Sequence, residues 1–185
     1  MAIENEFKYL VHADKKEMLR AKLEAWTPSL RKRSITQFYI TDTPCRVRKL
    51  VEGGEVMFVH TTKHQIGDQV YEFEIPITEI EFNIISKKSK GFFVEKDRYD
   101  FVEDGKTWEV DFFKSDNYGV FLAVIEVEVE PTVTTHPELP KALRSYSVRN
   151  LKQYDYSFHN SNMSSPTKLI KTAAAITEAY ENGRN

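Results

Sequence analysis

The chain has 185 residues, of which 41% are hydrophobic and 29% are charged, and its formal net charge at pH 7 is −2. These values predict one globular domain and exclude a general electrostatic attraction to nucleic acid or to an anionic membrane. The single cysteine, Cys45, excludes an internal disulfide, and no apolar run approaches the roughly 18 residues of a membrane-spanning helix. The N-terminus lacks a signal-peptide pattern, which favours a cytoplasmic protein.

The first predicted strand covers residues 3–10. Because successive side chains of a strand point to opposite faces, Glu4, Glu6 and Lys8 share one face of this strand. Taken alone, the strand is interpreted as part of an antiparallel sheet with one solvated face. Whether that interpretation holds depends on the polar residues of the other strands.

A helix is predicted after this strand, because Asp14 and Glu17 have the spacing of a capping box and apolar residues follow at helical intervals. We expect this helix to end near Pro28. Thr78 and Glu81 repeat the capping pattern at the start of a second, short helix.

Seven further strands are predicted from β-branched, aromatic and alternating patterns, at residues 34–40, 45–50, 56–63, 70–75, 92–101, 107–113 and 120–130. Turns are predicted at Gly53-Gly54 and at Asp104-Gly105, and the basic run at 31–33 is interpreted as solvated. Most strands carry two polar residues on one face, and these pairs are Gln37/Tyr39, Arg46/Arg48, Glu72/Glu74, Lys96/Arg98, Glu109/Asp111 and Glu126/Glu128, to which the strand at 56–63 adds Lys63.

Two more helices are predicted towards the C-terminus. One begins at Pro137 and carries Leu143 on its apolar face, and the other follows Pro166. We expect the last helix to belong to an extension, residues 161–185, that packs on a domain formed by residues 1–160 or contributes to a homodimer.

The polar strand faces can be arranged in two ways. In a two-layer sandwich they would face solvent. In a closed antiparallel barrel they would face a wet lumen with eight acids and six bases, a set that is costly to enclose without ligands. Carboxylates suit Mg²⁺ or Mn²⁺, and arginine suits phosphate, so the closed arrangement predicts a metal polyphosphate ligand.

An ExExK signature is present at Glu4-Asn5-Glu6-Phe7-Lys8. Through this motif the chain resembles the CYTH superfamily, the triphosphate tunnel metalloenzymes. The resemblance covers residues 3–160 and continues in order through Gln37-Phe38-Tyr39-Ile40, Arg46-Val47-Arg48, Thr61-Thr62-Lys63, Tyr71-Glu72-Phe73-Glu74, Lys96-Asp97-Arg98-Tyr99, Trp108-Glu109-Val110-Asp111 and Ile125-Glu126-Val127-Glu128. It implies an α+β, mainly β fold, in which a closed eight-stranded antiparallel β-barrel forms a triphosphate tunnel with surface helices around it.

The resemblance also implies roles for individual residues. The implied metal ligands are Glu4, Glu6, Asp111, Glu126 and Glu128. The implied phosphate-binding residues are Lys8, Arg46, Arg48, Lys63, Lys96 and Arg98. The implied catalytic residues, which orient these bases or the attacking water, are Glu72, Glu74 and Glu109, together with Lys8.

CYTH proteins hydrolyse inorganic tripolyphosphate, thiamine triphosphate or nucleoside triphosphates, and one branch converts ATP to cyclic AMP. The motifs at 37–40 and 108–111 look most like the bacterial inorganic triphosphatase branch. The resemblance therefore implies a Mg²⁺- or Mn²⁺-dependent triphosphatase, a monomer or homodimer with a small-molecule substrate and no nucleic-acid or membrane partner. A class IV adenylate cyclase and a non-catalytic nucleotide or polyphosphate binder are the alternatives.

Overall fold

A computed structural model describes residues 2–11, 13–26, 30–67, 69–90, 93–114 and 123–150. Within these ranges, ten strands form one antiparallel sheet, and two α-helices lie beside it. The strands are β1 (Ala2–Glu4), β2 (Glu6–Val11), β3 (Arg31–Tyr39), β4 (Cys45–Glu52), β5 (Glu55–Ile66), β6 (Gln69–Pro76), β7 (Phe93–Glu103), β8 (Lys106–Lys114), β9 (Ala123–Glu128) and β10 (Ser147–Asn150). The helices are α1 (Lys16–Ala25) and α2 (Glu79–Ser86). The predicted extension at 161–185 lies outside the described residues.

The strand order is β1-β6-β5-β4-β3-β7-β8-β9-β2-β10, and every pairing is antiparallel. This confirms the mainly β, antiparallel prediction. The order has two ends, however, so the hydrogen-bonded ladder does not return to its start as the predicted eight-stranded barrel requires. The reason lies in the opening strand, which the structure divides in two.

The opening strand is interrupted at Asn5, and its two halves pair with strands from opposite parts of the sheet order. β1 pairs with β6, whereas β2 pairs with β9 and β10. Asn5 is buried, and its side-chain amide donates to the carbonyl oxygens of Glu130 at 2.8 Å and Val133 at 3.0 Å. One residue thus separates a strand that is bonded to β6 from a strand that is bonded to β9.

The main core lies on one side of β2, β7, β8 and β9, beneath α1 and the segment 131–146. It contains Phe7, Tyr9, Val11, Leu19, Leu23, Tyr99, Phe101, Trp108, Val110, Phe112, Ala123, Ile125, Val127, Leu139 and Leu143. The core residues of β2 alternate with Glu6 and Lys8, so the charged side chains point away from this core.

The helix predicted at Pro137 is wrong, because the chain there forms turns. The N–H groups of Leu143 and Tyr146 donate to the carbonyls of Pro140 and Leu143 at 2.8 and 3.0 Å, which are three-residue steps, and a single four-residue step, from Arg144 to Pro140 at 3.2 Å, is not continued into an α-helix. Pro140 lacks an N–H and disfavours the helical conformation in the residue before it. Leu139 and Leu143 are nevertheless buried in the core.

The two predicted capping boxes have different outcomes. The Thr78–Glu81 box is present at the start of α2. The Asp14–Glu17 box is absent, because a 3-10 turn at Ala13–Lys15 precedes α1, and Lys15 at the N-cap makes no side-chain capping bond. Within the described ranges, no helix is long and apolar enough to cross a membrane.

Both predicted turns are confirmed. Gly53 and Gly54 have φ values of 57° and 90°, and Asp104 and Gly105 have φ values of 52° and 70°. Positive φ at both central residues is typical of the tight hairpin turn that matches strand twist. One apolar strand face is left partly uncovered, on β6, where Phe73 is 45% exposed and Ile75 is 56% exposed.

Replacing Asn5 with alanine is expected to lower the free energy of unfolding by about 2 kcal/mol, because two carbonyl groups lose their donor. Urea unfolding followed by far-UV circular dichroism measures the change. Asn83→Ala is the control, since Asn83 is exposed on α2 and its loss should change stability by less than about 0.5 kcal/mol. Equal losses in the two variants would contradict the linking role of Asn5.

Candidate active site

The polar faces of the strands line one cavity of about 860 Å³. Its lining includes seven carboxylates, Glu4, Glu6, Glu72, Glu74, Glu109, Glu126 and Glu128. It also includes seven cationic side chains, Lys8, Arg33, Arg46, Arg48, Lys63, Lys96 and Arg98. Opposite charges are thus matched in number within a single cavity.

Strand register explains why distant parts of the sequence meet in this cavity. Lys8 on β2 lies opposite Glu126 on β9, Glu126 lies opposite Glu109 on β8, and Glu109 lies opposite Asp100 on β7. Side chains directly opposite one another in an antiparallel pair share a face. A row of charged residues therefore crosses four neighbouring strands.

Three carboxylates of the lining come close enough to share a cation. Glu6, Glu109 and Glu126, here called the acidic group, each offer a carboxylate oxygen, and these oxygens all lie within 4.8 Å of one another. All-oxygen donors of this kind suit a hard cation such as Mg²⁺ or Mn²⁺. The chemistry of the donor set therefore fits a divalent metal.

Electrostatics in the acidic group favour a bound cation. Burial and the neighbouring charge of Glu126 raise the pKa of Glu6 to about 7, and burial raises the pKa of Glu109. Burial also disfavours ionised Glu126, but Lys8, Lys96 and Arg98 outweigh that effect and hold its pKa well below the usual range. A cation placed among these oxygens would favour the ionised forms of Glu6 and Glu109.

Asp111 lies beneath the cavity and is fully buried. Its two oxygens accept hydrogen bonds from Lys96 and, at 2.6 Å each, from Nε and Nη2 of Arg98. Arg98 also donates to Glu126 at 2.7 Å. The carboxylate of Asp111 therefore anchors two cations that reach the cavity.

Arg46 and Arg48, here called the arginine pair, occupy another part of the lining. Arg46 donates to Glu72 at 3.2 Å, and Arg48 donates to Glu74. The Nε atoms of both arginines are buried without a hydrogen-bond partner among the described residues. Burial and the charge of Arg46 lower the pKa of Arg48 to about 9. An anion in the cavity would relieve both conditions.

Comparison with known proteins bears on the origin of this arrangement. No family model matches the chain. It is 34% identical over 121 residues to the inorganic triphosphatase of Acetivibrio thermocellus, an alignment that covers 61% of this chain and 76% of the relative. This chain belongs to the CYTH superfamily.

Two solved structures align with the CYTH chain. A Bacillus halodurans protein provisionally assigned as an adenylate cyclase aligns with a TM-score of 0.50 at 17% identity, over 69% of this chain and 80% of the other. A crystal structure of an inorganic triphosphatase aligns with a TM-score of 0.49 at 23% identity, over 89% of this chain and 95% of the other. At 17% identity the likeness to the Bacillus halodurans protein concerns the fold alone.

Every site residue implied by the CYTH resemblance lines the cavity except Asp111. The implied metal ligands Glu4 and Glu128 line it outside the acidic group, and Glu4 accepts a hydrogen bond from Lys63 at 2.6 Å. Glu109, which the resemblance implied as a catalytic residue, lies within the acidic group. The geometry thus brings the implied residues together but groups the acids differently.

Arg33 is a cavity residue that the sequence interpretation missed. Its side chain is only 16% exposed, so the interpretation of the run at 31–33 as solvated is wrong for this member. The signal that identifies Arg33 is alternation, because Arg33 lies four residues before Gln37 on the same strand face. Gln37 and Tyr39 also line the cavity and are joined by a 2.8 Å hydrogen bond.

Replacing Glu6 with glutamine should raise stability at pH 8 in metal-free buffer. The folded-state pKa of Glu6, about 7, exceeds the ordinary value of 4.5, so its neutral form contributes stability that is fully present below pH 4.5 and is lost as the pH rises through 7. Glutamine stays neutral at both pH values. The free energy of unfolding of Glu6→Gln, relative to that of the unaltered protein, should therefore rise by about 2 kcal/mol from pH 5 to pH 8.

Urea unfolding at both pH values with EDTA present measures this difference. Glu55→Gln is the control, because Glu55 is exposed at the start of β5 and its neutralisation should leave the pH dependence unchanged. A Glu6→Gln protein with the pH dependence of the unaltered chain would contradict the raised pKa of Glu6.

Proposed function

We propose that this protein is a metal-dependent triphosphatase that hydrolyses inorganic tripolyphosphate or a related triphosphate. The observation that carries the proposal is the cavity itself, in which the acidic group and the arginine pair line one space of about 860 Å³. The curated relative at 34% identity is an inorganic triphosphatase, which supports the same reaction class. A metal complex of a polyphosphate matches both parts of the cavity, because its metal ion suits the acidic group and its phosphoryl oxygens suit the arginine pair.

The acidic group would hold the divalent metal, Mg²⁺ or Mn²⁺. Bound there, the ion would neutralise charge on phosphoryl oxygens and so lower the barrier to attack at phosphorus. Lys8 contacts both Glu6, at 2.8 Å, and Glu126. It therefore lies where the metal end of the ligand would meet its phosphate end.

The arginine pair, with Lys63, Lys96 and Arg98, would bind the phosphoryl oxygens. Glu72 and Glu74 orient these bases, since Glu72 contacts Arg46 at 3.2 Å and Lys63 at 3.1 Å. In the reaction, a water oriented by a cavity carboxylate attacks the terminal phosphorus in line with the departing oxygen. The cationic side chains then stabilise the negative charge that develops on the diphosphate leaving group.

We also infer that strands surround the bound triphosphate on all sides, as in a tunnel. The support for this inference is the opening segment, because β1 is bonded to β6 and β2 is bonded to β9 with only Asn5 between them. Covalent continuity at Asn5 would close the wall that the hydrogen-bonded ladder leaves open. A closed wall would exclude bulk water and strengthen every charge interaction inside it.

Arg48→Ala tests the proposal, because it removes a preorganised donor to the phosphate without touching the acidic group. The unaltered protein should release orthophosphate from tripolyphosphate with Mg²⁺ or Mn²⁺ and should be inactive with EDTA. We expect Arg48→Ala to lower kcat/KM by about 100-fold or more. A phosphate-release assay over a panel of tripolyphosphate, ATP, GTP and thiamine triphosphate measures both effects.

Lys49→Ala is the matched control, since Lys49 is the next residue of β4 and points to the opposite face. It should keep kcat/KM within about twofold of the unaltered protein. If ATP were converted to cyclic AMP, the protein would be an adenylate cyclase and the proposed hydrolase activity would be wrong. Tight binding of the panel without turnover under both metals would indicate a binding protein and overturn the proposal.

A further inference from the structure

Arg33, which is partly buried, and Asp100, which is buried, form an ion pair beside the acidic group. An Nη2 hydrogen bond joins Arg33 to Asp100, and the same nitrogen lies 3.6 Å from Oε1 of Glu109. The side chains of Arg33 and Asp100 are 16% and 8% exposed. Arg33 thus lies between two carboxylates, one of which belongs to the acidic group.

Register creates the need for a cation at this point. Asp100, Glu109 and Glu126 lie opposite one another in turn across β7, β8 and β9. Like charges directly opposite on neighbouring strands are destabilising, and each would push the next away. Arg98 contacts Glu109 and Glu126, and Arg33 contacts Asp100 and Glu109, so two guanidinium groups alternate with the three acids.

Stability alone does not account for the pair. Burying two charges costs free energy that their mutual attraction repays only with good geometry and with further hydrogen bonds. Nε of Arg33 and Oδ1 of Asp100 have no hydrogen-bond partner among the described residues. An incompletely satisfied buried pair is better explained by what it holds in place, which here is Glu109.

We propose that Arg33, anchored by Asp100, is a positioning residue that holds Glu109 against Glu6 and Glu126 and so completes the metal-binding group. The inference rests on the proposed function, because it takes the acidic group to be the metal site. Arg33 acts through Glu109 and not by contact with the metal. The anchor fixes the guanidinium, and the guanidinium attracts the Glu109 carboxylate across 3.6 Å, alongside the direct contact that Arg98 makes with Glu109.

Loss of Arg33 should therefore weaken metal binding. Residues that orient metal ligands typically contribute about 10- to 100-fold to metal affinity. We expect Arg33→Gln to weaken Mn²⁺ binding to the full chain by at least about 10-fold, measured by isothermal titration calorimetry without substrate. Asp100→Asn should weaken it in the same direction, because it releases the anchor while keeping the side-chain shape. Arg33→Lys should recover part of the loss, since it retains the charge.

Arg31→Gln is the matched control. Arg31 is two residues earlier on the same strand face, but it pairs with Glu52 at 2.5 Å and is half exposed. Its Mn²⁺ affinity should stay within about twofold of the unaltered protein. Circular dichroism and thermal unfolding establish that each variant is folded, and Asp100→Asn decides the question if Arg33→Gln does not fold.

A double-mutant cycle separates positioning from a general structural effect. If Arg33 acts through Glu109, then Arg33→Gln should weaken Mn²⁺ binding strongly in the unaltered chain and by less than about twofold in a Glu109→Gln background. At saturating Mn²⁺, the KM for tripolyphosphate should stay within about threefold, while the Mn²⁺ concentration for half-maximal activity rises.

The outcomes distinguish the two levels of the proposal. If the unaltered protein binds Mn²⁺ and Glu126→Gln weakens that binding while Arg33→Gln does not, the positioning role is overturned and the metal site stands. Equal losses from Arg33→Gln with and without Glu109 would also overturn it. If neither Glu6→Gln nor Glu126→Gln changes Mn²⁺ affinity, the metal site of the proposed function fails, and the role of Arg33 fails with it.

Discussion

Mutual neutralisation of charge inside the cavity is the constraint on which the rest of the structure depends. Seven carboxylates and seven cationic side chains share one cavity, where a buried unpaired charge would be strongly destabilising. Asp111 shows how the constraint is met, because it lies beneath the lining and holds Lys96 and Arg98. The remaining imbalances, at Glu6 and at the arginine pair, are the places where a cation and an anion would bind.

The apolar half of the protein keeps these charges in register. Residues such as Tyr9 and Trp108 alternate with the charged residues of their strands and pack beneath α1 and the segment 131–146. A one-residue shift of any of these strands would exchange the two faces, so the core fixes the cavity as firmly as it fixes the fold. Asn5 adds a local tie, since its amide links the opening segment to the loop after β9.

Much of this could be predicted from alternation alone. The same-face pairs, from Arg46/Arg48 to Glu126/Glu128, line one cavity except for Asp111, which lies beneath it, and the hairpin at Gly53-Gly54 forms as expected. The helix predicted at Pro137 is wrong because apolar spacing suits either a helix or a series of turns, and the prediction gave Pro140, which disfavours a helix, too little weight. Arg33 was missed because its charged neighbours made the run look like a solvated segment.

The sequence by itself determined which face of each strand carries charge, because side-chain direction along a strand follows a period of two whatever the partner strands are. It therefore determined the mainly β fold and the residue types of the cavity, whereas the antiparallel pairing was predicted from the hairpin turns and from the CYTH resemblance. Only the tertiary structure decided which charges become neighbours, because register and strand order bring residues from β2, β8 and β9 to within a few ångströms. The grouping of Glu109 with Glu6 and Glu126, and the position of Arg33 beside Glu109, depend on distances that no single strand contains.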